Sequence, residues 1–185
     1  PVIQRNAVSD STGDSRTLQT RQIQTNWEDP LAQSILLDQA AFVTSIALNF
    51  TSKDDAIPVN VSIREMVNGF PTQKIVPFSD ITLNPGSIST SAATTFTFAS
   101  PVYLQDGIEY AIVIMSNSSA YELYFAELGK NIIGTTRKVS KQPYTGVLFK
   151  SQNASTWQQD QNTDLTFVLN RCEFTTAGTH EAVFQ

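Results

Sequence analysis

The sequence predicts an all-β chain: an antiparallel, jelly-roll-like β-sandwich of about nine short strands, preceded by an extended N-terminal arm. Three observations carry this. Apolar residues recur with a period of two along much of residues 31 to 175. Turn-forming clusters, among them Asn68-Gly69, Asn84-Pro85-Gly86 and Asp106-Gly107, divide these stretches at short intervals. No segment carries a convincing 3.6-residue apolar spacing of the kind that marks an amphipathic helix.

Residues 1 to 30 are polar, and the Ser, Thr, Asp and Gly of SDSTGDSRT are linker chemistry, so this segment reads as an arm or inter-domain connection. It has too little apolar surface to offset its ordering entropy and is expected to order only against a neighbouring subunit. The first residue is Pro1 rather than methionine, which fits a processed product or a piece of a longer chain. The apolar signal starts after Asp29-Pro30, and a sandwich domain is expected over residues 31 to 175. In AFVTSIALNF, Ile46, Leu48 and Phe50 share one face, while Ser45, Ala47 and Asn49 share the other. PVNVSIRE repeats the pattern, with Val59, Val61 and Ile63 inward and Asn60, Ser62 and Arg64 outward. Asn68-Gly69 follows, a pair that tolerates the positive φ angles of a tight reversal.

Pro77 to Leu83 makes a further strand and ends at Asn84-Pro85-Gly86. Thr95 to Leu104 places Phe96 and Phe98 on one face, and Asp106-Gly107 turns the chain back. Ile108 to Met115 is apolar at nearly every position, as a central strand covered on both faces should be. Tyr121 to Leu128, Gly146 to Phe149 and Leu165 to Arg171 complete the set. The expected core is Ile46, Leu48, Phe50, Val61, Ile63, Phe98, Ile112 and Phe167. Residues 176 to 185 read as a C-terminal tail or a linker to a further segment.

The net charge of −5 disfavours nucleic acid and anionic membrane as partners. Arg137, Lys138 and Lys141 are too few to reverse that and read as a solvated face. The longest strongly apolar run, YAIVIM, falls far short of the roughly 20 residues of a membrane helix. A single cysteine, Cys172, cannot form an internal disulfide. The single histidine, His180, lies beyond the last strand, which leaves a Ser-His-Asp or Cys-His site without a base and zinc without a ligand set.

Asp54, Asp55, Glu122 and Glu127 are the carboxylates that could act on a glycosidic bond, but SKDDAIP is a turn in which Asp is favoured for backbone reasons. Asp160, Asn162 and Asp164 open like an EF-hand loop, and the match then fails. Leu165 stands where the loop needs glycine and Arg171 where it needs glutamate. Sequons at Asn49, Asn60, Asn117 and Asn153 follow from an Asn-, Ser- and Thr-rich composition. No enzymatic activity, cofactor or metal is expected.

The stretch most like a site is SKQPYTGVLFKSQNASTWQQDQNTDLTF, where one tryptophan sits among amides and hydroxyls. An indole face stacking on a pyranose, with Gln or Asn bonding its hydroxyls, is sugar-recognition chemistry, and Tyr144, Trp157 and Gln158 are the candidate ligand-binding residues. The opposing account turns Trp157 inward as a packing anchor while Asn153, Ser155, Asp160 and Asn162 bond their own loop. Apolar strands on either side, VLF and LTFVL, favour packing; a protein contact is the third reading.

The segments WEDPLAQSILLD, AFVTSIALNFTSKDDAIPVNVSIREMVNGFPTQKIVPFSDITLNP, ASPVYLQDGIEYAIVIMSNS and SKQPYTGVLFKSQNASTWQQDQNTDLTFVL resemble a module in large virion structural proteins of tailed bacteriophages. The resemblance spans Trp27 to Phe174, and DPLAQS and SQNASTW are its most specific runs. It implies a structural and protein-interaction module of a tail, baseplate or tail-fibre assembly, with no catalytic residues to transfer. The partners it implies are other phage tail or baseplate proteins and, in the full-length chain, further copies of the same protein. The implied location is the virion tail, assembled in the host bacterial cytoplasm. Trimerising or docking segments of the full family protein have no counterpart in these residues. The alternative, from the residues themselves, is a carbohydrate-binding module that contacts a host surface glycan around Tyr144 and Trp157.

Overall fold

A computed structural model describes the backbone of residues 2–5 and 21–24, and residues 29–131, 136–140 and 146–174 with their side chains. The described chain is all-β and antiparallel. Its one helical feature is a single 3-10 turn at Pro85–Ser87. Strands β1 (Val2–Arg5) and β2 (Arg21–Gln24) pair only with each other. The larger body begins with β3 (Leu31–Leu36), β4 (Ala41–Leu48), β5 (Phe50–Ser52) and β6 (Val59–Val67). It continues with β7 (Phe70–Ile75), β8 (Ile81–Leu83), β9 (Thr94–Leu104) and β10 (Glu109–Ser116). Short strands follow: β11 (Glu122–Leu123), β12 (Phe125–Glu127), β13 (Leu148–Lys150), β14 (Gln158–Asp160), β15 (Thr163–Leu165) and β16 (Phe167–Arg171).

One sheet of seven strands runs β14-β13-β3-β10-β6-β7, with β8 also on β6, and a three-stranded sheet runs β16-β4-β9. Two small ladders, β11 with β5 and β12 with β15, supplement them. The chain passes between the two main sheets repeatedly, in the jelly-roll-like manner, so sequence neighbours such as β3 and β4 or β9 and β10 lie in different sheets. Asn68 (φ 53°) and Gly69 (φ 77°) form the tight turn expected between β6 and β7, and Gly107 (φ 67°) turns the chain into β10. The ladder of β4 and β9 is interrupted between Val43 and Ser45. Pro101 lies in that interruption, where its missing N–H removes no rung.

The main core between the sheets holds Ile46, Leu48, Phe50, Val61, Ile63, Phe98 and Ile112, with Phe167 half-buried against it. Strand β10 is buried along nearly its whole length and sits between β3 and β6, as its unbroken apolar run requires. Two expectations about β6 and β4 need correction. Ser62 and Arg64 alternate with Val61 and Ile63 yet are buried rather than solvated, at 0% and 3% exposure. Ser45 and Ala47 are likewise covered. The far face of the seven-stranded sheet is capped by a second apolar layer, in which Phe149, Trp157 and Ala154 pack on Ala32, Ala111, Val113 and Met115. The strand expected over 77 to 83 is shorter, because Pro77 and Phe78 form a turn and pairing resumes only at Ile81. The one expected over 121 to 128 is divided between two partners, β5 and β15.

Candidate functional site

The loop joining β13 to β14 covers the second layer and is built by its own polar side chains. Asn153 Oδ1 accepts hydrogen bonds from the backbone N–H of Ser155 (3.0 Å) and Thr156 (2.7 Å), while Ser151 Oγ accepts from Asn153 N–H (3.2 Å). Ser151 N–H donates to the Pro30 carbonyl at 3.0 Å, which fastens the loop to the chain entering β3. These are the self-bonded turn residues of the packing account.

Trp157 is 8% exposed. Its indole meets Phe149 edge-on, with centroids 6.5 Å apart at 82°, and Phe149 in turn meets Phe70 at 6.0 Å. An indole buried to this degree has no open face for a sugar ring. Its margin nevertheless lines a cleft of about 660 Å³, together with Asp29, Lys150, Gln152, Asn153, Thr156 and Gln158. Gln158 opens β14, exposed, with its backbone opposite Lys150. The structure thus brings Trp157 and Gln158 to one cleft, while Tyr144 lies outside the described residues.

Beneath the loop lies Arg64. Its Nη1 donates to Gln73 Oε1 (3.1 Å) and Nη2 contacts Met115 Sδ (3.2 Å), and Gln73 Nε2 donates to the Ala154 carbonyl. Burial lowers the guanidinium pKa, and the charge of Asp80 acts in the opposite direction. The loop is tied through Gln73 to a cation inside the second layer.

Two residues that sequence reasoning passed over organise the opposite flank. Gln33, 2% exposed in β3, accepts from Leu165 N–H through Oε1 (2.8 Å) and donates through Nε2 to Asp164 Oδ1 (3.0 Å). It joins β3 to β15 across most of the chain. Gly146 lies against the same pair: a Cβ there would meet Gln33 Nε2 and the Ser34 carbonyl oxygen at 2.6 Å each. The visible signal was an amide inside the apolar run LAQSIL, which a strand buried on both faces must satisfy with a partner.

Of the carboxylates weighed for catalysis, Asp54, Glu122 and Glu127 have partners in the scaffold, while Asp55 is exposed in the same turn as Asp54. Asp54 accepts from Ala56 N–H (2.6 Å), Ile57 N–H (2.7 Å) and Ser118 Oγ (2.6 Å). The Ser118 hydroxyl, then the Ile57 and Ala56 amides, hold its carboxyl below the usual range. Glu122 accepts from Thr51 Oγ1, and Glu127 faces Lys130 at 3.9 Å. Asp160 pairs with Lys150 at 3.1 Å. Among the described residues no group of three or more His, Cys, Asp or Glu side chains could hold a metal ion, and no helix is long and apolar enough to cross a membrane.

Comparison with protein-family models, with curated proteins and with solved structures finds no match for this chain.

The outer surface is the other feature. Phe42, Tyr103 and Phe174 cluster on the three-stranded sheet, with Phe42 5.1 Å from Tyr103 and 5.5 Å from Phe174 between centroids, and are 39%, 52% and 67% exposed. Cys172 N–H donates to the Phe42 carbonyl at 2.7 Å and fixes the end of the chain that carries Phe174. The cluster is an ordered apolar patch open to solvent.

Proposed function

We propose that the chain is a structural and protein-interaction module of a bacteriophage tail, baseplate or tail-fibre assembly. The observation that supports this reading best is the Phe42, Tyr103 and Phe174 cluster. Three aromatic rings packed on one another and exposed together on a sheet face are the surface of a protein contact, since an isolated domain gains nothing by leaving such area wet. The resemblance over Trp27 to Phe174 supplies the kind of assembly. On this reading the chain has no catalytic role, and its partners are neighbouring tail or baseplate proteins. A reconstruction of the particle that contains this chain tests it: the β16-β4-β9 face should be covered by a neighbouring subunit. A particle in which that face is open to solvent would overturn the reading.

A second reading is favoured by the cleft beside Trp157. Gln152 and Gln158, both exposed, with Thr156 and Lys150, give it the amide and hydroxyl lining that a host surface glycan would bond. Contact would then run through these polar groups and not through the indole. Titration with bacterial surface polysaccharide, followed by the amide resonances of Gln152 and Gln158, tests this, and unchanged resonances would exclude it.

A further inference from the structure

The turn Val76 to Ser79 holds the most exposed large apolar side chain of the described surface, Phe78, at 70%. Its backbone is left-handed, with φ at 66°. Ser79 N–H donates to the Val76 carbonyl at 3.2 Å with Pro77 between, so Phe78 occupies the third position of a type II turn, where glycine or asparagine is at home. A bulky residue there is strained. Nor is the turn loose. Val76 is buried and its N–H donates to the Ile63 carbonyl at 2.8 Å. Ser79 is fully buried: its hydroxyl accepts from Ile63 N–H (3.1 Å) and has the Val76 carbonyl (2.7 Å) and the Ile63 carbonyl (3.0 Å) as acceptors for its single hydrogen. The chain therefore holds an aromatic ring out in water on a rigid mount, in a conformation its own stability would be better without.

A receptor of matching chemistry exists on the same molecule. Between the end of β3 and β16, Ile35, Leu36, Leu37, Phe167, Val168 and Leu169 line an apolar cleft of about 220 Å³. An apolar cavity of about 150 Å³ suffices to hold a benzene ring. Leu36 and Val168 on its rim are exposed.

From this ring and this cleft we infer that copies of the chain associate head to tail, with Phe78 of one copy seated in the cleft between β3 and β16 of the next. Ring and cleft are formed by different residues, so the contact is heterologous and a bound pair still offers one free ring and one free cleft between its two copies. Apolar insertion between two copies that each carry a charge of −5 works against their repulsion, so association should strengthen as salt rises. The partner named here rests on the interaction-module reading, whose own test is the particle reconstruction, so either can fail alone.

Sedimentation equilibrium of the whole chain over a range of concentrations tests the inference, with two variants. Phe78→Asn removes the ring and suits the left-handed turn; Val168→Arg blocks the cleft from its exposed rim. Each should lower the association constant at least about tenfold. Mixed together they should form a one-to-one heterodimer, because one intact ring meets one intact cleft. Phe78→Asn should also melt no lower than the parent. A parent chain that stays monomeric at its solubility limit, an Asn variant that associates as well as the parent, or a mixture that stays monomeric would each overturn the inference. So would a lower melting temperature for Phe78→Asn, which would make the ring part of its own fold.

Discussion

Replacing Trp157 by alanine removes the largest side chain of the second apolar layer. An aromatic of this class buries 150–250 Å² in full, and Trp157 is 8% exposed, so about 200 Å² of contact is lost. At about 25 cal/mol per Å² this amounts to about 5 kcal/mol, an upper figure because the unfolded chain already covers part of that area. Measured truncations of buried aromatics fall at about 3–5 kcal/mol, and the edge-on contact with Phe149 lies within that sum. We expect a loss of about 4 kcal/mol. For a chain of 185 residues that corresponds to a melting temperature lower by about 12 °C. The assay is denaturant unfolding followed by circular dichroism, with thermal scans beside it. Intrinsic fluorescence supplies an independent readout once Trp27 is replaced by phenylalanine: Trp157 should emit blue-shifted light that iodide quenches poorly. A loss below about 0.5 kcal/mol, the range of exposed substitutions, together with a red-shifted and readily quenched emission, would refute the packing account.

Gly146→Ala should cost about 2 kcal/mol or more in urea unfolding, because its Cβ would stand 2.6 Å from the Ser34 backbone oxygen, which cannot rotate aside. Arg64→Met should leave stability unchanged or raise it despite 3% exposure, since no carboxylate among the described residues is hydrogen-bonded to the guanidinium and methionine removes a buried charge; a loss above about 2 kcal/mol would show that the Gln73 link is worth more than that desolvation. Asp54 has a folded-state pKa below its ordinary 3.8, so its contribution is present above that value and is lost as pH falls through the folded pKa. The Asp54→Asn chain should therefore show a shallower fall of melting temperature below about pH 4 than the parent, and parallel profiles would disprove the linkage.

The parts of this fold legible in the sequence are those where one face is covered and the other is not. Thr95 to Leu104 alternates because β9 has an exposed face, and the Asn68-Gly69 and Asp106-Gly107 turns are written in residues that accept positive φ. Strand β3 carries no periodic signal because both its faces are covered, which leaves LAQSIL without a pattern. Ser62 and Arg64 were assigned to solvent for a related reason. Alternation reports that two faces differ, but the loop that later folds over the second face lies ninety residues away and leaves no mark on β6. At the candidate site, the self-bonding of Asn153 and the inward turn of Trp157 could be read from loop chemistry and flanking apolar strands. The cleft they border could not, since it depends on Asp29 and Leu31 arriving from a distant part of the chain. Phe78 in a left-handed turn runs against residue preference, so no sequence rule would have placed it there.

The position of β3 between β10 and β13, and of β4 between β9 and β16, has a consequence for synthesis. Both strands leave the ribosome about a hundred residues ahead of one neighbour, β13 for β3 and β16 for β4, and lack it until that segment has been made. Until then β4 has no partner on one side, and the amide of Gln33 waits for Leu165 and Asp164. Pairings so distant in sequence form slowly, and translation at about 5–20 residues per second holds the nascent chain in this half-closed state for seconds. Chaperone capture should therefore be heaviest on chains stalled near residue 146. It should fall away once β13 to β16 have emerged, because only then can both sheets close along these edges.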